Sequence, residues 1–240
     1  MLLKGMVKKA LAWLNIDLTK NMEYDRLTNR LMRRFLKPDS NCIDIGSHRG
    51  EVLSQMLKYA PEGQHYAFEP IPELFRFLQK KYSGKANILP YALAEKEGIS
   101  TFHYVKNAPA FSGLKKRKYH INNPEIQKLE VNVKTLDQLL PEDLKIDLIK
   151  IDVEGAEFPV LKGAKRILRK SRPLVIFEFG LGASDYYNTD PDEFYKYLTE
   201  ECRLNIFPIK DWFKNGTPLK QKEFKDLYQE NKEYYYLAKP

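Results

Sequence analysis

The chain has 240 residues, of which 43% are hydrophobic and 12% aromatic. That content fits one well-cored folded domain and leaves little room for a second large one. The formal net charge of +8 admits a nucleic acid or an acidic substrate as partner. The excess is spread along the chain, however, and only Lys115-Lys-Arg-Lys118 is a compact basic cluster. No apolar run reaches the roughly 20 residues that a membrane-spanning helix needs.

The two cysteines, Cys42 and Cys202, are far apart in the sequence. Cys42 lies in an apolar run and is predicted to be a buried free thiol. Neither a disulfide framework nor a zinc site is indicated, because no second cysteine or histidine has the required spacing. We therefore expect a reducing compartment, the cytoplasm.

The first predicted element is an amphipathic helix over residues 1–18. Lysines interrupt its apolar residues, so it lacks the hydrophobic stretch of a signal peptide. We expect it to pack on the domain or on a second subunit in a homodimer, and contact with a membrane surface is the alternative. A second amphipathic helix covers residues 24–36 and stops before Pro38. Residues 1–38 are thus predicted to be an N-terminal helical extension, and residues 39–240 the main domain.

Strands and helices then alternate, which is typical of an α/β fold with a parallel sheet and helices on both faces. Right-handed crossovers place the second strand beside the first and the third beyond the second. The predicted elements are a strand at 42–45, a helix at 51–59, a strand at 65–68, a helix at about 74–82 and a strand at 87–90.

The middle of the chain is less regular. A strand is predicted at 99–105 and a short one at 131–134. Residues 106–127 read as a long mobile loop, and loops of this length in a compact domain are usually lids or binding loops. The alternation then resumes, with a helical turn at 136–140, a strand at 147–151, a helix at 157–170, a strand at 174–177, a helix at 191–201, and an edge hairpin formed by 204–209 and 234–238.

The segment Asp44-Ile-Gly-Ser-His-Arg-Gly50 joins the first strand to the next helix. Gly46 allows a sharp turn and close approach of a ligand, and Gly50 lets the helix begin near that ligand. Glu69 ends the second strand, where its carboxylate can accept hydrogen bonds from both hydroxyls of a ribose. Open parallel sheets bind ligands beyond these strand ends, so an adenosine-containing cofactor is predicted here.

Two cofactor classes use such a turn. In a dinucleotide site the first position of the turn is a glycine, whereas here it is Asp44. A carboxylate facing a pyrophosphate is unfavourable in a partly dry site. S-adenosylmethionine (SAM) carries a positive sulfonium and an ammonium, so nearby carboxylates favour it. The charge argument points to SAM, while a dinucleotide, or a structural turn without a ligand, stays open.

A second cluster of charged residues follows the strand predicted at 147–151. Asp152, Glu154 and Glu157 lie where that strand ends, Lys150 lies inside it, and Glu178 ends the neighbouring strand. One acid could orient a substrate hydroxyl and accept its proton. Alternatively, two acids could hold Mg²⁺ or Ca²⁺, or Glu154 and Glu157 could simply cap a helix.

Together these motifs resemble the FkbM family of SAM-dependent methyltransferases. The order and spacing of the pieces follow that family from about residue 41 to 180. The segment Lys-Ile-Asp-Val-Glu-Gly, residues 150–155, is the most specific of them. The matching pieces are Asp44-Ile-Gly-Ser-His-Arg-Gly50, Phe68-Glu-Pro70, Tyr91-Ala-Leu93, Val133-Lys-Thr-Leu-Asp137, Ile149-Lys-Ile-Asp-Val-Glu-Gly-Ala-Glu157 and Val160-Leu-Lys-Gly163.

The resemblance implies a class I methyltransferase fold, which is Rossmann-like. Its sheet is mostly parallel and seven-stranded, with a terminal antiparallel strand inserted between neighbours. It also implies O-methylation of a hydroxyl on a sugar, glycan or secondary metabolite. Where the family motif usually continues Ala-Asn, this chain has Ser47-His48, which changes the donors near the carboxylate end of SAM. By position, the resemblance places Asp44, Gly46 and Gly50 at the methionine end, Glu69 at the ribose, Ala92 or Leu93 near the adenine, and Asp152 near the transferred methyl. Ser47 and Pro70 are further predicted cofactor contacts, and Glu154 is a second candidate catalytic acid.

The acceptor is expected to lie among Lys150, Glu178 and the long loop. Lys115 and Arg117 on that loop could hold an acidic group, such as a phosphate or uronate. We expect a small-molecule or glycan acceptor and no nucleic acid, since no Asn-Pro-Pro-aromatic motif for base amines is present. A nucleic-acid methyltransferase and a non-catalytic binding module remain the alternatives.

Overall fold

The computed structural model describes residues 20–119 and 121–240. The helix predicted at 1–18, and with it the predicted dimer contact, lies outside the described residues. The helices described are α1 Lys20–Phe35, α2 Glu51–Tyr59, α3 Pro72–Lys81, α4 Leu136–Leu139, α5 Glu157–Lys162, α6 Lys165–Ser171, α7 Pro191–Lys196, α8 Ile209–Trp212 and α9 Gln221–Gln229. The strands are β1 Cys42–Ile45, β2 His65–Phe68, β3 Asn87–Leu89, β4 Ala92–Leu93, β5 Gly98–Val105, β6 Ile126–Lys134, β7 Leu148–Ile151, β8 Leu174–Glu178, β9 Asn205–Pro208 and β10 Tyr235–Lys239.

Within the described residues, seven strands form one sheet in the order β3-β2-β1-β7-β8-β10-β9. The five strands from β3 to β8 are parallel, and β10 runs antiparallel to both of its neighbours. The predicted mostly parallel seven-stranded α/β sheet with an inserted antiparallel strand is confirmed. Asp44 in β1 lies opposite Lys150 in β7, so the two charged residues that interrupt these strands are neighbours.

Apolar cores cover both faces of the sheet. Successive residues of a strand point to opposite faces, and Ile43 and Ile45 accordingly belong to one cluster while Cys42 belongs to another. The first cluster packs against α5, α6, α7 and α9, and the second against α1, α2 and α8. Because both faces are covered, the strands read as nearly continuous apolar runs.

Helix α1 is part of this packing. Leu31 and Met32 have no exposed surface, and they share a cluster with Cys42 of β1, Met56 of α2 and Tyr235 of β10. The helix therefore lies directly against the sheet, close to the strand ends that face the cavity described below. The cysteines Cys42 and Cys202 are both buried free thiols.

A second, three-stranded sheet, β4-β6-β5, was not predicted. The ribbon of β5 and β6 pairs from Gly98–Val133 to Val105–Ile126, so the predicted strand at 131–134 is too short and the predicted loop at 106–127 ends two residues too late. The cause is the exposure of this ribbon to solvent. Four polar residues of β6, namely Gln127, Lys128, Glu130 and Asn132, are exposed, and such residues are typical of a loop.

The prediction of a single helix over residues 157–170 is also wrong. The segment forms two helices, α5 and α6, separated at Gly163 and Ala164. The carboxylate of Asp137 accepts hydrogen bonds from the backbone N–H groups of Arg166 at 2.6 Å and Ile167 at 3.1 Å. This cap comes from a distant segment, so local periodicity could not reveal the break. The helix predicted at 191–201 is helical throughout but ends in a π-turn over Tyr197–Glu201.

The terminal hairpin was predicted correctly. Strands β9 and β10 pair antiparallel at the edge of the sheet, with Leu237 opposite Phe207. Among the helices of the described part of the chain, none combines the length and apolar character needed to cross a bilayer.

Candidate active site

A cavity of about 570 Å³ lies at the carboxyl ends of β1, β2, β7 and β8. Its size is within the range of small-molecule sites, and this edge is where open parallel sheets bind ligands. It brings together eleven of the fourteen predicted site residues, and His48 of the glycine turn also lines it. The predicted residues that line it are Asp44, Gly46, Ser47, Glu69, Pro70, Ala92, Leu93, Lys150, Asp152 and Glu154, and Glu178 lines it as well.

The glycine turn forms the floor of the cavity. Gly46 has φ +81°, and a Cβ there would lie 1.9 Å from the carbonyl oxygen of Asp152. The backbone N–H groups of Gly46 and Ser47 both donate to the carbonyl oxygen of Phe68, at 3.0 and 3.1 Å. The turn is thus packed directly between the ends of β2 and β7, and only glycine fits at residue 46.

Gly50 does not line the cavity. With φ +75°, it begins α2, and a Cβ there would lie 2.6 Å from the ring of Tyr82. The hydroxyl of Tyr82 donates to the carbonyl oxygen of Gly50 at 2.7 Å. The close approach that requires glycine is therefore to α3, on the far side of the turn from the predicted ligand.

Asp44 is 1% exposed and lies beneath the turn. Its carboxylate accepts a hydrogen bond from the backbone N–H of Leu53 at 3.2 Å, and the hydroxyl of Ser47 donates to its carbonyl oxygen at 2.8 Å. Burial raises the pKa of Asp44 to about 7, although the nearby Lys150 ammonium opposes the shift. A cation placed in the cavity would favour its charged form.

Glu69 connects the end of β2 to the glycine turn. One carboxylate oxygen accepts a hydrogen bond from the N–H of His48 at 2.8 Å, and the other from the N–H of Ile71 at 2.9 Å. Burial raises the pKa of Glu69 to about 7, and these two hydrogen bonds oppose the shift. Each oxygen retains a second lone pair, so the side chain can still accept hydrogen bonds from a ligand in the cavity.

Lys150 is 2% exposed inside β7. Its ammonium donates to a carboxylate oxygen of Asp152 at 3.2 Å and lies 5.4 Å from the ring centre of Tyr235. Burial alone would lower the pKa of Lys150, but Asp152, Tyr235 and the carboxyls of Glu178 and Asp44 together raise it. The lysine is therefore charged, and Asp152, partly exposed to the cavity, is its ion-pair partner.

Glu178 ends β8 on the same side of the sheet. Burial, followed by repulsion from Asp152, raises its pKa well above the ordinary value, while Lys150 opposes the shift. No hydrogen bond or ion pair to the Glu178 carboxyl is formed by any described residue. The end of the cavity above β7 and β8 thus holds two carboxyl groups and one ammonium.

Arg117 and Lys115, predicted to hold a substrate, lie outside the cavity lining. The guanidinium of Arg117 forms an ion pair with Glu154 and donates to the carbonyl oxygens of Phe111 and Gly182. Its side chain is 8% exposed. Arg117 therefore fixes the loop to the cavity rim, and Lys115 points to solvent. Loop residues that do line the cavity are Pro109, Ala110, Ser112 and Leu114.

The end of the cavity above β2 is apolar. Ala92 and Leu93 are 6% and 3% exposed, and they lie near Pro70, Ile71 and Phe102. Such a surface suits the faces of a flat aromatic base, because stacking and burial there need no polar partner.

The wall opposite the glycine turn was not predicted. It is formed by α1 residues Asn21, Tyr24, Asp25 and Thr28, together with Tyr235 of β10. These α1 residues follow a helical spacing beside the buried Leu27 stripe, and this is the only signal that could have found them. An amphipathic helix with a polar stripe is too common to predict a binding wall.

Glu157 has a structural role. It is 1% exposed, and one of its oxygens accepts hydrogen bonds from the N–H groups of Val153 and Gly155, both at 3.2 Å. It thereby holds the turn between β7 and α5. Among residues 20–119 and 121–240, no group of three or more His, Cys, Asp or Glu side chains is arranged to hold a metal ion.

Comparison with curated proteins finds distant relatives. The chain is 27% identical over 150 residues to the 2-O-methyltransferase NoeI of Sinorhizobium fredii, covering 57% of this chain and 62% of NoeI. It is 25% identical over 205 residues to the AMB antimetabolite synthetase AmbE of Pseudomonas aeruginosa, covering 69% of this chain and 10% of AmbE. The chain thus spans less than two thirds of the length of either relative.

The fold has a counterpart among solved structures. A methyltransferase FkbM from Methylobacillus flagellatus KT superposes with a TM-score of 0.51 at 14% identity, covering 85% of this chain and 44% of that one. At that identity the likeness concerns the fold alone. The family model of the methyltransferase FkbM domain matches residues 44–204, which is more than half of the chain and includes the glycine turn, Glu69 and Asp152. The chain therefore belongs to the FkbM family of methyltransferases.

Proposed function

We propose that this chain is a SAM-dependent O-methyltransferase that acts on a hydroxyl of a sugar, glycan or secondary metabolite. One observation carries the proposal. A single cavity joins the glycine turn and Glu69 above β1 and β2 to Asp152 and Glu178 above β7 and β8. With strands about 4.8 Å apart, β2 and β8 are separated by roughly 14 Å, enough for a cofactor and an acceptor side by side.

The residues present fit SAM better than a dinucleotide. Gly46 lets the turn pack against the carbonyl oxygen of Asp152, and buried Asp44 would face a phosphate in a dinucleotide complex. A positively charged ligand instead favours the ionised forms of Asp44 and Glu69, whose pKa values burial raises to about 7. When bound, SAM would supply a methyl group already activated by its positive sulfur.

Each side chain then has a specific task. Asp44, Gly46 and Ser47 would contact the methionine end, with Gly50 shaping the turn from behind. Glu69 would accept hydrogen bonds from the ribose hydroxyls while keeping its bonds to His48 and Ile71. Pro70, Ala92 and Leu93 would cover the adenine. The assignment uses only the lone pairs of the Glu69 carboxylate that accept no hydrogen bond within the protein and the apolar surfaces that face the cavity.

Asp152 would bind the acceptor hydroxyl and take its proton. Its ion pair with Lys150 keeps the carboxylate oriented toward the cavity, and one oxygen is left for the acceptor. Loop residues 106–125, pinned by Arg117 and Glu154, would exclude water from the reaction. Methyl transfer needs alignment of oxygen, carbon and sulfur more than covalent help, so a positioned base and a closed cavity are sufficient.

Two further observations bear on the acceptor. NoeI bears the name of a 2-O-methyltransferase, which supports methylation of a hydroxyl. Among the described residues, seven acidic side chains line the cavity, and Lys150 is the only Lys or Arg that does so. Nucleic-acid phosphates would meet these carboxylates unfavourably, so we do not favour a nucleic-acid acceptor.

The proposal is tested by incubating the protein with radiolabelled-methyl SAM and a panel of sugars, glycans and lipid-linked saccharides. We expect label transfer to at least one acceptor. Asp152→Asn should reduce turnover by about 100-fold while changing the SAM dissociation constant less than threefold. The matched control is Asp147→Asn, in the same segment but outside the cavity lining. Unchanged turnover in Asp152→Asn would remove the assigned base.

A further inference from the structure

The wall formed by α1 lies outside the part of the chain that the family model matches. That match covers residues 44–204, whereas Asn21, Asp25, Thr28 and Tyr235 line the cavity from beyond it. The glycine turn and Asp152, in contrast, lie inside the match. The matched part of the chain thus holds the residues proposed to contact the cofactor, and the α1 wall outside the match lines another side of the same cavity.

This wall is held firmly against the sheet. The hydroxyls of Thr28 and Tyr235 are hydrogen-bonded at 3.0 Å, and that of Tyr24 donates to Glu233 at 2.5 Å. The rings of Tyr24 and Tyr235 stack with centres 4.7 Å apart, and the Lys150 ammonium lies over Tyr235. The position of α1 relative to Lys150 and Glu178 is therefore fixed by buried contacts, as a recognition surface requires.

The charge of the cavity is opposite to that of the chain. The chain carries +8, yet the lining contributed by residues 20–119 and 121–240 contains seven acidic residues and one lysine. Glu154 is neutralised by Arg117 and Asp152 by Lys150. Glu178 has no such partner among the described residues. Burial and repulsion from Asp152 raise the pKa of Glu178 well above its ordinary value, and a cation bound beside it would favour its charged form.

A second group in the same lining lacks a partner. The side-chain oxygen of Gln55 on α2 is buried and accepts no hydrogen bond from any described residue. Gln55 lies on the helix that packs beside α1. Both Gln55 and Glu178 line the cavity as acceptors without a donor among the described residues, so each can accept a hydrogen bond from a bound ligand. A protonated amine is the donor that also neutralises a carboxylate.

We propose that the half of the cavity between α1 and the ends of β7 and β8 is the acceptor subsite, and that it selects a hydroxyl compound bearing a protonated amine, such as an amino sugar or amino alcohol. This inference rests on the proposed function. The amine binds Glu178, and the hydroxyl faces Asp152. An anionic acceptor is rejected, because the two basic loop residues expected to hold it, Lys115 and Arg117, do not line the cavity.

The test is ligand-observed saturation-transfer NMR on the full chain near neutral pH, with three matched probes: glucosamine, glucose and glucose 6-phosphate. We expect glucosamine to bind at least fivefold more tightly than glucose, and glucose 6-phosphate not to bind. Glu178→Gln should abolish the preference for glucosamine. Glu142→Gln, an exposed loop position, should keep it. Equal binding of glucosamine and glucose, tighter binding of the phosphate, or no binding of any probe overturns the proposal.

A second variant guards against a folding defect in Glu178→Gln. Asn21 lies at the exposed rim of the same wall, so Asn21→Lys adds a cation without disturbing the core. It should weaken glucosamine binding at least threefold, and unchanged binding contradicts the placement of the subsite. Calorimetry with SAM separates the two proposals. If SAM binds but glucosamine does not bind more tightly than glucose, only the proposed acceptor subsite is contradicted. If glucosamine binds as predicted but SAM does not bind, only the proposed methyl-transfer function is contradicted.

Discussion

Gly46 is the residue at which backbone geometry most restricts the sequence. A Cβ there would lie 1.9 Å from the carbonyl oxygen of Asp152, and φ is +81°. We predict that Gly46→Ala lowers the free energy of unfolding by at least about 3 kcal/mol, because a backbone clash adds to the left-handed strain of roughly 1–2 kcal/mol. Urea denaturation measures this loss.

The matched control is Gly84→Ala. Gly84 also has a positive φ, +69°, but a Cβ there would meet nothing within 4 Å. This variant should therefore show the conformational strain alone, about 1–2 kcal/mol. Equal losses in the two variants would show that the turn can move away from β7.

Asp44 makes stability depend on pH. Burial raises its pKa from 3.8 to about 7, so its favourable contribution to folding is fully present below about pH 4 and is lost as pH rises through about 7. Asp44→Asn removes this dependence while keeping an oxygen for the N–H of Leu53. We predict that the variant gains stability relative to the wild type between pH 5 and pH 8, by on the order of 2 kcal/mol.

Urea midpoints of both proteins at the two pH values provide the measurement. The difference between the proteins isolates Asp44 from the histidines, whose pKa values also shift. Parallel stability curves would mean that the carboxylate is already ionised at pH 5.

At the scale of single residues, site residues could be predicted from the sequence where their position at the end of a strand determined where they lie. Gly46, Glu69 and Asp152 each end or follow a strand, so their shared edge followed from topology. Arg117 and Gly50 were placed incorrectly because their partners, Glu154 and Tyr82, come from distant segments. No short-range pattern records such partners.

The loop over residues 106–125 is the element whose behaviour depends most on one contact. Arg117 joins it to Glu154 and to the carbonyl oxygens of Phe111 and Gly182. We predict that Arg117→Met speeds amide hydrogen exchange in this loop by about tenfold or more, since charge-assisted bonds in a nearly buried place are lost. Hydrogen-exchange mass spectrometry gives the rates.

Lys116→Met is the control for that experiment, because Lys116 is the exposed neighbour of Arg117. Its exchange rates should equal those of the wild type. If both variants exchange alike, the ion pair does not hold the loop.

Among the elements, the parallel core could be predicted almost to the residue. The bounds of β1, α2 and β2 match the periodicity, because apolar runs ended by glycine, proline or an acid define them. The β4-β6-β5 sheet was missed, since its exposed ribbon carries polar residues that read as a loop. The break between α5 and α6 was missed because Asp137 caps α6 from another part of the chain.

At the scale of the whole molecule, the net charge and the charge of the cavity lining have opposite signs. The net charge of +8 suggested an acidic partner, but the cavity gathers acidic side chains around one buried lysine. Net charge sums the entire surface, whereas recognition depends on the residues that the fold brings together. This is why composition could not predict the character of the acceptor.

The central claim is that this cavity binds SAM and not a dinucleotide. Isothermal titration calorimetry of the full chain with SAM and, separately, with NAD tests it most directly. We predict micromolar binding of SAM, no detectable binding of NAD, and at least a tenfold weaker SAM affinity in Glu69→Ala, equal to about 1.4 kcal/mol. Micromolar binding of NAD without binding of SAM would contradict the account.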